Sequence, residues 1–72
     1  MIYYGHTDKN HVLAIKYHEK EVKAKNPVNK RYYFLCYLRH CSYMGNHSDA
    51  INQYKGKTNK ELYNLASKQV KG

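Results

Sequence analysis

The sequence has no tryptophan, one phenylalanine and only five acidic residues in a chain of 72. It also has no apolar run near the roughly 20 residues that a membrane-spanning helix requires. Residues 1–5, Met-Ile-Tyr-Tyr-Gly, lack the charged start and the long apolar region of a signal peptide. These absences predict a cytoplasmic protein that does not bind a membrane.

The residue groups that usually carry catalysis are missing as well. The acids are dispersed along the chain, there is no glycine-rich phosphate loop, and no serine nucleophile motif occurs. We therefore predict that the protein is not an enzyme and needs no cofactor.

Cysteine is scarce, and its spacing argues against both a disulfide and a metal site. Cys36 and Cys41 are five residues apart, which places them about 140° apart around a helix and disfavours a mutual bridge. Thiols of cytosolic proteins are normally reduced. His40, Cys41 and His47 offer soft ligands, but no C-x₂-C pair is present and adjacent ligands rarely reach one tetrahedral ion. No metal is expected.

Tyrosine and positive charge dominate the composition. Nine tyrosines must supply much of the core of so small a domain, and each buried hydroxyl needs a partner or a route to water. Thirteen Lys and Arg residues against five acids give a formal charge of +8, spread along the whole chain. This charge attracts polyanions, which favours nucleic acid or an acidic protein surface as the partner.

The segment 26–45 is the only dense apolar run, and it predicts a central helix. Asn26 is a candidate N-cap, Pro27 suits the first helical position, and Gly45 suits a left-handed C-cap. Between these residues, apolar side chains lie on all sides of the helical wheel, so the helix should be buried. The aromatic run 32–38 leaves a central β-strand as the alternative.

Weaker patterns precede this segment. Residues 1–6 read as a short strand or an extended arm. Residues 11–25 predict an amphipathic helix with a solvated charged face, because apolar residues recur there at near-helical spacing. The residues that define this apolar face are Val12, Ile15 and Val22, with Leu13 and Tyr17 beside them.

The expected fold is therefore mainly α. Residues 1–72 should form one small basic domain, a bundle of three to four helices around the helix at 26–45, with or without a short N-terminal strand. The alternative is an α+β domain in which 32–38 is the central strand.

The N-terminal residues carry a resemblance to a known family. Tyr3-Tyr4-Gly5-His6-Thr7, followed by a helix ending near His18 and by Asn26-Pro27, resembles the second half of the core motif of GIY-YIG nucleases. The catalytic arginine of that family is absent, with Lys16 in its region, and no downstream glutamate occupies a comparable position. The resemblance therefore implies no nuclease activity here.

The segment 48–70 resembles a helix-turn-helix in outline. It predicts a short helix, a turn at Gly56 and a longer helix that opens with the capping box Thr58-Asn59-Lys60-Glu61. In that family the second helix enters the major groove. Lys55 and Lys57 replace the apolar residues that usually flank the turn, so a plain helical hairpin with solvated lysines is the alternative.

The second helix of this hairpin supplies most of the contacts expected with a nucleic acid. The residues expected to face bases are Thr58, Asn59, Lys60 and Asn64. The residues expected at phosphates are Lys57, Lys68 and Lys71, with Arg31 and Arg39 of the central segment as further basic contacts.

Two functions fit these patterns. The first is a small DNA- or RNA-binding protein whose lysines contact phosphates and whose tyrosines stack on bases. The second is a non-catalytic interaction protein of the phage or mobile-element type, with Tyr and Arg anchors that bind an acidic host protein. The position of the tyrosines discriminates between them: rings beside lysines favour nucleic acid, whereas a Tyr/Arg patch away from lysines favours a protein partner.

Overall fold

The computed structural model describes residues 9–44 and 49–71, with Ala50 and Lys71 described by their backbone alone. No strand occurs in these residues, so the predicted mainly-α bundle is confirmed and the alternative strand at 32–38 is wrong. The predicted N-terminal strand lies outside the described residues. The helices in chain order are α1 (Lys9–Lys23), α2 (Pro27–Tyr43), α3 (Asp49–Asn52) and α4 (Asn59–Lys71).

Helix α2 begins where the sequence predicts. The Oδ1 atom of Asn26 accepts hydrogen bonds from the backbone N–H groups of Val28 (2.8 Å) and Asn29 (3.2 Å), and Pro27 occupies the first turn. These bonds satisfy two of the donors that a helix start leaves unpaired. At the other end Met44 is the C-cap. The predicted cap at Gly45 lies outside the described residues.

The other three helices all pack on α2. Within residues 9–44 and 49–71, no Cα atom of α1, α3 or α4 lies within 8 Å of a Cα atom in another of these three helices. The buried core joins Leu35 and Cys36 of α2 to Leu62 and Ala66 of α4. The prediction that the apolar central helix organises the fold is therefore confirmed.

Helix α1 packs by only part of the predicted apolar face. Val12, Ile15 and Val22 are 50%, 48% and 65% exposed, whereas Ala14 is buried. The small Ala14 allows α1 to approach α2 closely. Beside it, the Tyr17 ring covers more area than a valine side chain would, and this ring lies parallel to the His40 ring of α2. Aromatic packing therefore decides the inward face, and the aliphatic stripe is left on the surface.

Helix α4 opens with the predicted capping box. The backbone N–H of Thr58 donates to Glu61 Oε1 (2.8 Å), and the backbone N–H of Glu61 donates to Thr58 Oγ1 (3.1 Å). The bond from the Thr58 backbone also holds the pKa of the Glu61 carboxyl below its ordinary value. Just before the cap, Gly56 turns the chain with φ +85° and donates its N–H to the Tyr43 hydroxyl (2.9 Å). The positive φ explains why glycine occupies this position.

Removing this cap is expected to weaken the anchoring of α4. Thr58→Ala should lower the free energy of unfolding by about 1 kcal/mol, because the N–H of Glu61 loses its acceptor. Urea denaturation followed by circular dichroism measures the change. Thr58→Ser keeps the hydroxyl and should stay within about 0.5 kcal/mol of the unmodified protein. Equal losses in the two variants would contradict the role given to the hydroxyl.

Candidate nucleic-acid interface

Four tyrosines from three helices form a continuous row of rings, which we call the tyrosine row. Tyr63 of α4 lies edge-on to Tyr32 of α2, with ring centroids 5.6 Å apart. Tyr32 is 5.2 Å from Tyr33, and Tyr33 is 6.2 Å from Tyr17 of α1. The row therefore crosses the central helix from α4 to α1.

The rings of this row are partly exposed to solvent. Tyr63 is 44% exposed, and the other three are half-buried. Burial, together with the Cys36 thiol beside it, raises the pKa of Tyr32 to about 12. Burial likewise raises the pKa of the Cys36 thiol. At neutral pH this ring and this thiol carry no negative charge that would repel a phosphate.

Lysines flank the row at both ends. On α1, the Nζ atom of Lys20 lies 5.8 Å from the centroid of the Tyr33 ring. On α4, Lys60 precedes Tyr63 by three residues and is exposed. Residues three apart on a helix are neighbours on its surface. Positive charge therefore lies beside aromatic rings toward both ends of the row.

The predicted contact residues of α4 fall into two groups. Lys60, Asn64 and Lys68 are exposed and share one side of the helix, because they recur every four residues. Thr58 and Asn59 are exposed in the first turn, where Thr58 caps the helix and Asn59 Oδ1 lies 4.0 Å from Cys36 Sγ. The side chain of Lys71 is outside the described residues.

Arg39 is not on the surface, which corrects its predicted role as a phosphate contact. It is buried, and its Nη1 donates to the backbone carbonyl of Lys57 (2.7 Å). Its Nη2 lies 3.3 Å from Nε2 of His40, and its Nε has no hydrogen-bond partner among the residues that the structure describes. The guanidinium therefore holds the half-buried start of the α4 segment on α2 instead of contacting a ligand.

Arg31 lies apart from the tyrosine row. Its Nε donates to Gln69 Oε1 (2.6 Å), and its guanidinium carbon lies 5.1 Å from the centroid of the Phe34 ring. The bond to Gln69 joins the start of α2 to the end of α4. Arg31 thus belongs to a different surface, which is described below.

The hairpin has the predicted order of elements without the packing of a helix-turn-helix. Helix α3 is a single turn, and it packs on α2, where Ser42 Oγ donates to Asn52 Oδ1 (3.0 Å). As described above, it has no close backbone contact with α4. In a helix-turn-helix the first helix supports the second one across the turn. Here α2 supports α4 directly, so the geometry does not favour groove docking by this hairpin.

The sequence predicted that tyrosines make contacts but not which ones. The row depends on three helices meeting, and no spacing within one segment reveals that Tyr63 and Tyr17 lie on either side of Tyr32 and Tyr33. The candidate metal ligands remain scattered: no group of three His, Cys, Asp or Glu side chains in the described residues is placed to hold an ion. His47 lies outside these residues.

Comparison with known protein families, characterised proteins and solved structures finds no match to this chain. The two family resemblances in the sequence therefore rest on short motifs. Within residues 9–44 and 49–71, no helix is long and apolar enough to cross a membrane.

Proposed function

We propose that this protein binds single-stranded nucleic acid, with bases stacked on the tyrosine row and phosphates held by the lysines at its ends. The observation that carries the proposal is the contact of Lys20 with the Tyr33 ring within a row of partly exposed tyrosines. Stacking platforms combined with a positive surface are how proteins bind single strands without reading their sequence.

The orientation of the rings favours a single strand over a duplex. Neighbouring rings of the row are inclined to one another by 28° to 70°. Bases that stack on such rings cannot remain stacked on each other as they are in a duplex, whereas an unpaired strand can splay them apart. Each base stacked on an aromatic side chain contributes about 1–3 kcal/mol to binding.

Charge supplies the attraction that brings a strand to this surface. The formal charge is +8, because five acids are too few to neutralise thirteen lysines and arginines. Lys60 and Lys68 extend the positive surface along α4 beside Tyr63. Two unbridged thiols, Cys36 and Cys41, fit the cytoplasmic location that we also propose.

The test is binding to labelled single-stranded RNA, single-stranded DNA and duplex DNA of equal length across a salt series. We expect single strands to bind more tightly than duplex, with an affinity that falls steeply as salt increases. Tyr63→Ala should weaken binding of the single strand by about 1–3 kcal/mol, or about fivefold to 150-fold, because one stacking ring is lost. Tyr63→Phe keeps the ring and should bind nearly as well as the unmodified protein.

Charge reversal tests the lysines of α4. Lys60→Glu combined with Lys68→Glu should weaken strand binding by more than tenfold, because two phosphate contacts become repulsive. Lys55→Glu with Lys9→Glu is the matched control: both residues are exposed, and neither is in the tyrosine row or on α4. Equal losses of strand affinity in the two double variants would show that binding depends only on the net charge of the protein. Weak binding that vanishes for all three nucleic acids at physiological salt would overturn the proposal and favour an acidic protein partner.

A further inference from the structure

A second surface lies at the end of the bundle where α2 begins. It is an open groove of about 380 Å³ between the ends of α1 and α4 and the first turns of α2. The lining residues are Glu21, Pro27, Lys30, Arg31, Phe34 and Val70. The proposed strand-binding surface uses none of these residues.

The walls of the groove are mainly apolar, and its charge comes from two adjacent cations. The Arg31 guanidinium lies over the Phe34 ring, 5.1 Å from its centroid, and is fixed by the bond of its Nε to Gln69. Lys30 is exposed, and its Nζ lies 3.5 Å from the backbone carbonyl of Glu21. That contact is long enough for the ammonium group to exchange it for a stronger acceptor.

The lining contains one acid, Glu21, against two cations, so the groove keeps a net positive charge. The Oε1 atom of Glu21 lies 3.6 Å from Nδ1 of His18 on α1. The partial positive charge at the start of α2, where Pro27 lines the groove, adds to the charge of Lys30 and Arg31. The groove thus combines an aromatic wall with a site for a doubly charged anion.

We propose that this groove binds a free nucleoside monophosphate. The base packs against the Phe34 ring and Val70, and the phosphate lies between Lys30 and Arg31. A phosphate monoester carries a charge of about −1.5 to −2 at neutral pH. The combined charge of two cations is closer to this value than to the single charge of a carboxylate. The planar guanidinium bonds phosphate through two donors, and a volume of this size accommodates one small ligand.

This inference does not depend on strand binding by the tyrosine row. The two surfaces share no residue, so either can bind its ligand when the other does not. A mononucleotide titration therefore tests the groove, and the oligonucleotide series above tests the row.

The experiment is an NMR titration of the ¹⁵N-labelled protein with adenosine 5′-monophosphate, adenosine and inorganic phosphate in parallel. We expect the nucleotide to bind at least about tenfold more tightly than adenosine or phosphate alone, because base and phosphate sites act together. The amide signals of Lys30, Arg31, Phe34 and Val70 should shift in a saturable manner. Equal affinity for phosphate and nucleotide, or shifts confined to the tyrosine row, would overturn the proposal.

Variants separate a site from general charge. Lys30→Gln should weaken nucleotide binding by about fivefold or more, while Lys55→Gln, which removes the same charge from an exposed turn, should change it by less than about twofold. Phe34→Leu keeps an apolar side chain without the ring and should also weaken binding by at least about fivefold. Because Phe34 is half-buried, its variant is checked by thermal melting, and the exposed Lys30 gives the result if that variant does not fold. Identical effects of Lys30→Gln and Lys55→Gln would contradict a built site.

Discussion

Replacing Leu62 with alanine is expected to lower the free energy of unfolding by about 2–5 kcal/mol. Leu62 is completely buried, and it packs with Leu35, Cys36 and Ala66 where α4 meets α2. A chain of 72 residues has a total stability on the order of 4–11 kcal/mol, so this one change removes a large fraction of it. Urea denaturation followed by far-ultraviolet circular dichroism measures the loss, with the unmodified protein as reference.

The matched control is Val12→Ala on α1. Val12 is half exposed, so shortening its side chain should change the free energy of unfolding by less than about 0.5 kcal/mol. The comparison also tests the packing of α1, because the sequence pattern places Val12 on the inward face and the structure places it outside. A loss for Val12→Ala as large as that for Leu62→Ala would contradict the observed orientation of α1.

The parts of the fold that the sequence predicted correctly depend on neighbouring residues. Asn26 caps α2 through bonds to N–H groups two and three residues away, and Thr58 and Glu61 cap α4 across three residues. Such contacts form whenever the local backbone turns into a helix, whatever packs on it later. Helix boundaries were therefore predicted to within about two residues at most ends.

The inward face of α1 could not be predicted in the same way. Periodicity places Val12, Ile15 and Val22 on one side, but it does not weigh them against an aromatic residue that has a partner on another helix. Tyr17 lies parallel to His40, with ring centroids 5.6 Å apart and an angle of 4° between the ring planes. That partner becomes visible only when α1 and α2 are assembled.

The candidate site shows the same contrast between features set by local spacing and features set by tertiary packing. The spacing of Lys60, Asn64 and Lys68 was sufficient to place them on one exposed side of α4, because helical geometry fixes it. The tyrosine row depends on tertiary packing and was missed. Arg39 was misassigned for the same reason: an arginine is usually exposed, but this one is buried in the assembled bundle and donates to the Lys57 carbonyl.

Acid is expected to destabilise the fold through His40. An arginine nitrogen can only donate, so Nε2 of His40 accepts from Arg39 Nη2, and Nδ1 carries the proton and donates to Asn10 Oδ1 (3.0 Å). This arrangement requires the neutral imidazole. Burial, with the neighbouring Arg39 charge, lowers the pKa of His40 below its ordinary value. The Tyr17 and Tyr43 rings pack against it and offer no compensating negative charge.

The sign of the pH dependence follows from this lowered pKa. In the unfolded chain His40 takes up a proton near pH 6.5, whereas in the folded protein it resists protonation to a lower pH. The stabilisation is therefore fully present above about pH 6.5 and is lost as the pH falls through the folded-state pKa, with a slope of at most about 1.4 kcal/mol per pH unit. Urea denaturation at a series of pH values from neutral downward measures it.

His40→Gln is the control, because glutamine keeps one donor and one acceptor but does not titrate. The slope below pH 6.5 should be smaller in this variant by the contribution of one proton, while slopes from other groups are common to both proteins. Arg39 joins His40 to the Lys57 carbonyl, so protonation of His40 places a second cation against the guanidinium that anchors the start of α4. The protection of the α4 amides against hydrogen exchange, relative to their intrinsic exchange rates at each pH, should therefore fall in acid more in the unmodified protein than in the variant. Identical pH profiles and identical exchange in the two proteins would show that His40 titrates without cost to the fold and that Arg39 holds α4 independently of it.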